Sequence, residues 1–312
     1  MRIPQPPVRR RLLPARSMRR RWFAATVLAC AVTLAVAGCG GDSTASTDKT
    51  VGAGSSPTFA AGTTMARLAA AGKVTVGTKF DQPLFGLKGL DGKVAGFDVE
   101  IAKIISAGMG INESGITFVE TPSSQREGAI QQGKVDFVVA TYTINDKRKQ
   151  LVSFAGPYYQ AGQDIMVKKD NTTITGPESL RPANAKVCSV SGSTPAEKIK
   201  QYVDASNIVL FDVYSKCADA LRTGQVDAVT TDNVVLLGLA DASGGAFKLV
   251  DKPFTTEPYG IGIKKGDIAF CQFIHEQLTA ASADGRYAKA WQSTAGKVTG
   301  TTPTLPTLAT CS

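Results

Sequence analysis

Residues 129–138, Ala-Ile-Gln-Gln-Gly-Lys-Val-Asp-Phe-Val, return 91 positions later as Ala-Leu-Arg-Thr-Gly-Gln-Val-Asp-Ala-Val at 220–229. In each copy the pattern predicts a helix ending at glycine, Gly133 or Gly224, which tolerates the left-handed cap. A strand then starts two residues later, at Val135 or Val226. Agreement or near agreement at seven positions points to two lobes of similar build.

Outward from this pair the chain alternates strand and helix patterns. Val74–Thr78, Ile116–Val119, Val135–Ala140, Ile165–Val167, Lys186–Val190, Ile208–Phe211 and Val226–Thr230 read as short, β-branched strands. Helical spacing lies between most of them, as in Phe97, Ile101, Ile104 and Ile105. The expectation is an α/β protein with mainly parallel sheets. Ligands of such sheets sit beyond the carboxyl ends of the strands. That places Thr141 and Thr143 of one lobe opposite Thr231 and Asp232 of the other, across a cleft. Two α/β lobes facing a cleft describe a binder that closes by a hinge.

The ends of the chain carry different information. Formal net charge is +9, but eight arginines and no acids fall within residues 1–38. Beyond them 27 basic residues face 26 acidic ones, so the body is nearly neutral and a nucleic-acid partner loses its support. The basic start, the apolar run Trp22–Gly38 and the small residues before Cys39 are the features of an export signal. Val36-Ala37-Gly38-Cys39 resembles a lipobox, which implies cleavage before Cys39 and a lipid on its thiol. Fifteen of residues 40–64 are Ser, Thr or Gly, the composition of a slack tether. Lipid plus tether makes an anchor on the outer face of the cell membrane, not a span.

With Cys39 lipidated, Cys188, Cys217, Cys271 and Cys311 remain, an even number suited to an oxidising compartment. Four cysteines permit three pairings. Pairing of nearest neighbours, Cys188–Cys217 and Cys271–Cys311, is favoured. The spacings do not resemble a metal site, and the single histidine, His275, reads as an ordinary surface or half-buried residue of a helix. No metal or cofactor is expected.

Two local patterns suit an anion. In Thr194-Pro195-Ala196-Glu197, Thr194 can cap a helix, proline suits the first turn, and Glu197 completes a capping box. The preceding Ser191-Gly192-Ser193 turn offers free N–H groups to a carboxylate. After the strand ending at Ala140, Arg148 presents a planar fork that fits a carboxylate in two hydrogen bonds.

The run Thr143–Arg148, followed by Val152-Ser-Phe-Ala-Gly-Pro-Tyr-Tyr159, resembles the signature of bacterial extracellular solute-binding protein family 3. Gly96-Phe97-Asp98-Val99-Glu100, Val187-Cys188-Ser189-Val190, Thr230-Thr231-Asp232 and Pro258-Tyr259-Gly260 extend the match in order over residues 65–295. Within the family, the Cys188 and Cys217 pair and the Ser-Gly-Ser-Thr-Pro turn are most similar to glutamate/aspartate-binding lipoproteins. The resemblance implies a type II periplasmic-binding-protein (Venus flytrap) fold, two α/β lobes joined by two hinge strands near Ala161–Ile165 and Thr256–Gly262. The implied divisions are signal 1–38, tether 39–64, lobe 1 from 65–162 plus 256–297, lobe 2 from 163–255, and tail 298–312.

The resemblance also assigns the cleft. Arg148 grips the α-carboxylate, aided by Thr143 and by Ser193 or Thr194, while Asp232 receives the α-ammonium with help from Thr141. Lys79 and Arg126 read a distal carboxylate, and Tyr214 lies near the ligand. The implied protein is a monomeric, lipid-anchored receptor for L-glutamate and L-aspartate that serves the permease of an ABC importer. Rival readings are a glutamine or asparagine receptor, a sensor without transport, and a dehydratase using Asp232 or Glu120. No nucleophile elbow and no histidine near the cleft support an enzyme, so none is expected.

Overall fold

The computed structural model describes residues 57–312; the leader, Cys39 and the tether through residue 56 lie outside the described residues. No helix among the described residues is long and apolar enough to cross a membrane.

Two five-stranded sheets form two lobes of matching design. In lobe 1 the order is Ile116–Glu120, Val74–Thr78, Phe137–Val138, Glu257–Ile263, Ser153–Ala161. In lobe 2 it is Ile208–Phe211, Val187–Val190, Ala228–Asp232, Gln163–Lys168, Phe247–Leu249. The first three strands of each sheet are parallel and the fourth is antiparallel to its neighbours. The sheets are therefore mixed rather than mainly parallel. Each lobe takes its fourth strand directly from the chain crossing over from the other lobe, and that strand enters against the local direction.

The repeated decapeptide sits at the same place in both sheets. Helices Arg126–Gln131 and Tyr214–Thr223 each lead into a glycine with positive φ, 64° at Gly133 and 77° at Gly224. The aspartates that follow make the same pair of bonds. Asp136 accepts from Thr75 N through Oδ2 and donates its own N–H to Thr75 O, both at 2.8 Å. Asp227 does the same with Lys186, again at 2.8 Å. A carboxylate stapled to the start of the neighbouring strand is what the Val-Asp step of the repeat encodes.

Buried side chains cover both faces of both sheets. On lobe 1 an aromatic group of Phe85, Phe97, Tyr159 and Trp291 packs edge to face, with Tyr159 and Trp291 stacked at 4.9 Å. Helix Phe97–Gly108 buries Phe97, Ile101, Ile104 and Ile105, as its spacing predicts. Its cap, Gly96, has φ 137° and lies so close to Phe85 that a Cβ would come within 2.2 Å of the Phe85 carbonyl.

The two connections between the lobes run side by side. Gly162 links Ala161 to Gln163, and Gln163 exchanges bonds with Phe254 N and Thr255 Oγ1 at 2.9 and 3.0 Å. The second crossing therefore precedes the expected segment Thr256–Gly262, because from Glu257 the chain is already paired with Ala161 in lobe 1.

Disulfides join Cys188 to Cys217 and Cys271 to Cys311, the nearest-neighbour pairing. Closing loops of 29 and 40 residues removes unfolded-state entropy equivalent to roughly 3.5–4 kcal/mol each. The second bridge binds the tail to lobe 1. Ala309 N donates to Gly156 O and Ser153 Oγ to Ser312 O, both at 2.7 Å, while Leu305 and Leu308 pack on the core. His275 is half-buried beside this bridge and accepts from Gly156 N at 2.9 Å; burial lowers its pKa. Cys271, His275 and Cys311 are near enough to hold a metal, but the bridge consumes both thiols. The last part of the expected tether is also docked: Phe59 packs on Phe273 at 5.5 Å and Thr63 caps helix Thr64–Ala71. An aromatic side chain that can bury on the body overrides the flexible composition around it.

Candidate functional site

Lys79, Arg126, Thr141, Thr143, Arg148, Ser193, Tyr214 and Asp232 are all at most 6% exposed, and Thr194 is half-buried. Open cavities elsewhere, such as one of about 440 Å³ along Phe80, Lys88 and Lys103, contain none of them.

On lobe 1 the strand end at Val138 delivers Thr141 in a left-handed conformation, φ 43°, unusual for a β-branched residue. Thr141 N donates to Asp98 Oδ2 at 2.8 Å and its hydroxyl contacts Gln82 Oε1 at 3.0 Å. Tyr158 OH donates to the other Asp98 oxygen at 2.6 Å. Burial pushes the Asp98 carboxyl up to about 7 in spite of these donors.

Arg148 starts from a four-residue helix, Asp146–Lys149, capped by Asn145. Its Nη1 donates to Thr143 O at 2.7 Å, its Nη2 to Gly192 O of lobe 2 at 3.0 Å, and its Nε lies 3.2 Å from Glu127 Oε1. Burial, then the charge of Arg126, lowers its pKa to about 10. Arg126 donates Nη1 to Ala140 O and Thr141 O at 3.0 and 3.2 Å, and its buried Nε has no partner. Both guanidinium groups lie over the Tyr142 ring, 4.2 Å from its centre for Arg126 and 5.1 Å for Arg148. The third cation, Lys79, donates to Ser123 Oγ at 2.8 Å. Burial, then Arg126, lowers Lys79 to about 7. Three cations thus share one buried wall, and among the described residues only Arg148 of the three has a carboxylate within ion-pair distance.

On lobe 2, Asp232 closes its strand. Tyr259 OH donates to Oδ2 at 2.6 Å, while buried Oδ1 has no partner. Burial, then the nearby Glu257, raises Asp232 to about 7. Burial likewise pushes the Tyr214 phenol up to about 12, with Ser193, Thr231 and Ser189 beside its buried hydroxyl. The capping box expected at Thr194 is not formed. Ser193 is the cap, accepting from Ala196 N at 3.1 Å, and Glu197 instead meets Lys200 at 2.6 Å. One residue of shift leaves Thr194 free to cross the cleft. Its hydroxyl gives its only proton to Glu257 Oε2 at 2.7 Å, so Thr143 Oγ1, 3.2 Å away, must donate to it.

The folded chain therefore gathers all nine expected side chains at the cleft, and adds Asp98, Glu127, Glu257 and Tyr259, which were not assigned from sequence. Asp98 and Tyr259 lie inside family motifs, and an acid set in the apolar pattern Phe97, Val99, Ile101 was the available signal. Glu127 and Glu257 carried none. Chemically, buried cations on one wall and an acid with a free oxygen on the other can hold both ends of a zwitterion. Such groups are costly to bury unless they meet an opposite charge.

Similarity to known proteins identifies the family. A model of the bacterial extracellular solute-binding proteins, family 3, matches residues 74–295. The glutamate-binding protein GluB of Corynebacterium efficiens is 40% identical over 70% of this chain and 77% of its own. The glutamine-binding protein of Geobacillus stearothermophilus is 36% identical over 81% of this chain and 95% of its own. Among solved structures, an ancestral arginine-binding protein bound to glutamine is 35% identical with a TM-score of 0.67, over 74% of this chain and 99% of that one. With two lobes, a polar cleft between them and a family match over most of its length, the chain belongs to the bacterial extracellular solute-binding proteins, family 3.

Proposed function

We propose that this protein is a lipid-anchored receptor that binds L-glutamate, and L-aspartate as well, by hinge closure and delivers it to the permease of an ABC importer. The observation that carries the ligand assignment is the wall of three buried cations, Lys79, Arg126 and Arg148, facing one acid with an unpartnered oxygen, Asp232. Arg148 receives the α-carboxylate and Asp232 the α-ammonium. Thr141, Thr143, Ser193, Thr194 and Tyr214 supply neutral contacts, and Lys79 with Arg126 serves the distal carboxylate. The similarity to a protein named for glutamate binding supports the same reading. A second reading, glutamine, is favoured by the relatives named for it and by a Lys79 whose pKa near 7 leaves it partly neutral.

Calorimetric titration decides between them. The protein, unfolded and refolded to strip carried-over amino acid, is titrated with Glu, Asp, Gln, Asn and Arg. Tight binding of Glu or Asp with weak Gln is expected; preference for Gln removes the acidic assignment. Replacing Lys79 with Met and Arg126 with Gln should narrow the Glu-to-Gln gap by about 1.5–3 kcal/mol per lost charged hydrogen bond. An unchanged preference would place specificity elsewhere.

The pH dependence follows from Lys79. A distal carboxylate needs the protonated amine, so above about pH 7 glutamate binding must take up a proton, and its affinity falls by up to about tenfold per pH unit. Glutamine has no such need. The Glu-to-Gln affinity ratio should therefore drop between pH 6.5 and 8.5 in the native protein and stay flat in Lys79→Met.

A further inference from the structure

A small sheet on lobe 1 joins Asp81–Gln82 with Gly86–Lys88 and Val94–Ala95, and its strand Asp81–Gln82 lies against helices Tyr214–Thr223 and Asn233–Ala242 of lobe 2. From it Asp81 reaches across the cleft. Its Oδ2 accepts from Tyr214 N at 2.7 Å and Ser215 N at 3.3 Å, the first N–H groups of helix Tyr214–Thr223. These groups have no intrahelical partner, and an anion placed there also meets the positive end of the helix.

Lobe 2 offers no cap of its own. The cap position is Val213, which lacks an acceptor, and the preceding Asp212 is held by Lys216 at 2.8 Å. The helix is left half-built, and lobe 1 completes it from 133 residues away. Its other attachments point into the site: Cys217 is bridged to the strand that leads to Ser193, and the Tyr214 ring is buried near Asp232. The apposed surfaces are cut for close approach. A Cβ on Gly238 would come within 2.5 Å of Pro83 O, and one on Gly192 within 2.7 Å of the Ser124 backbone.

We infer that Asp81 is the latch of the closed receptor, a positioning residue that caps the lobe 2 helix only when the lobes meet and so slows release of the bound amino acid. The inference rests on hinge closure around an amino acid and deepens that reading. The hydrogen bonds of the Asp81 side chain go to the backbone of Tyr214 and Ser215 and to no ligand-binding side chain, although its charge also favours the protonated form of Lys79.

Three variants test it: Asp81→Ala, Val213→Ser and the double variant. Stopped-flow dissociation of glutamate from Asp81→Ala should be roughly three- to thirtyfold faster, the span of a lost cap, with association and the ligand-free melting temperature unchanged. Val213→Ser supplies a cap in both lobe positions, so it should raise ligand-free stability and make the further loss of Asp81 nearly silent in the dissociation rate. A wild-type dissociation rate in Asp81→Ala overturns the latch. So does a ligand-free melting temperature that drops as far as the liganded one, because the contact would then be structural. If no amino acid binds the native protein, the receptor reading fails instead. The fraction of closed molecules, read from an interlobe label pair without ligand, then decides the latch alone: Asp81→Ala must lower it, and an equal fraction overturns it.

Discussion

Arg148→Ala is expected to weaken amino-acid binding by roughly 2–5 kcal/mol, the cost of leaving a buried carboxylate without its charged partner. The side chain works at three points: it orients Thr143 through its carbonyl, touches Gly192 of the opposite lobe and lies 3.2 Å from Glu127. Removal therefore loses the ligand contact and an interlobe contact together. It also leaves the half-buried Glu127 without its ion pair, so some loss of ligand-free stability accompanies the binding defect. Arg148→Lys separates the two. It keeps the charge but not the planar fork, and should restore stability better than affinity. Calorimetry and melting of both variants check this; glutamate affinity within twofold of native in Arg148→Ala would remove the α-carboxylate assignment.

Asp232→Asn should move affinity and stability in opposite directions. Binding should fall by roughly 2–5 kcal/mol because the α-ammonium loses its anion. The ligand-free protein should gain stability, of the order of 1–4 kcal/mol at pH 8, because a buried charge without a full complement of partners is replaced by a neutral isostere. The sign follows from linkage. Burial raises Asp232 to about 7, above its ordinary value of 3.8. In the native protein its favourable contribution is thus present below about pH 4 and is lost as pH rises through about 7. The stabilisation by Asn should be small at pH 4 and full at pH 8. Asn can still accept from Tyr259 OH, so the 2.6 Å contact of the native pair need not be lost. Melting curves at the two pH values, beside titrations at pH 8, test both halves. Lower stability at pH 8 would mean that Asp232 is held by protein contacts and not reserved for a ligand.

Much of the fold was legible because its signals are local. The two Gly-x-Val-Asp steps place a left-handed cap followed by a strand, and the structure has both in each lobe, but the strands begin at Phe137 and Ala228, two residues later than Val135 and Val226, because each Asp first staples its segment to the neighbouring strand. The burial period in helix Phe97–Gly108 was equally readable, whereas the four cysteines allowed three pairings and only the structure selects Cys188–Cys217 and Cys271–Cys311. Strand direction was not readable either. Gln163–Lys168 and Glu257–Ile263 look like any apolar run, and only the double crossing of the chain makes these fourth strands of the two sheets antiparallel.

The site divides the same way. Sequence by itself determined which residues stand at the strand ends: Thr141 and Thr143 after one copy of the repeat, Asp232 after the other, and Arg148 on the turn that follows. Chain connectivity alone carries a side chain to the mouth of its strand. Tertiary structure decided which of them are paired. Thr194 meets Glu257 and Thr143 rather than capping its helix, Asp232 shares one oxygen with Tyr259 and leaves the other free, and Asp81 caps a helix 133 residues away. The reason is physical. Helix and turn preferences are short-range and survive in a linear reading. Coulomb and hydrogen-bond energies instead depend on burial and on distances of a few ångströms, which exist only after the two lobes have folded and met.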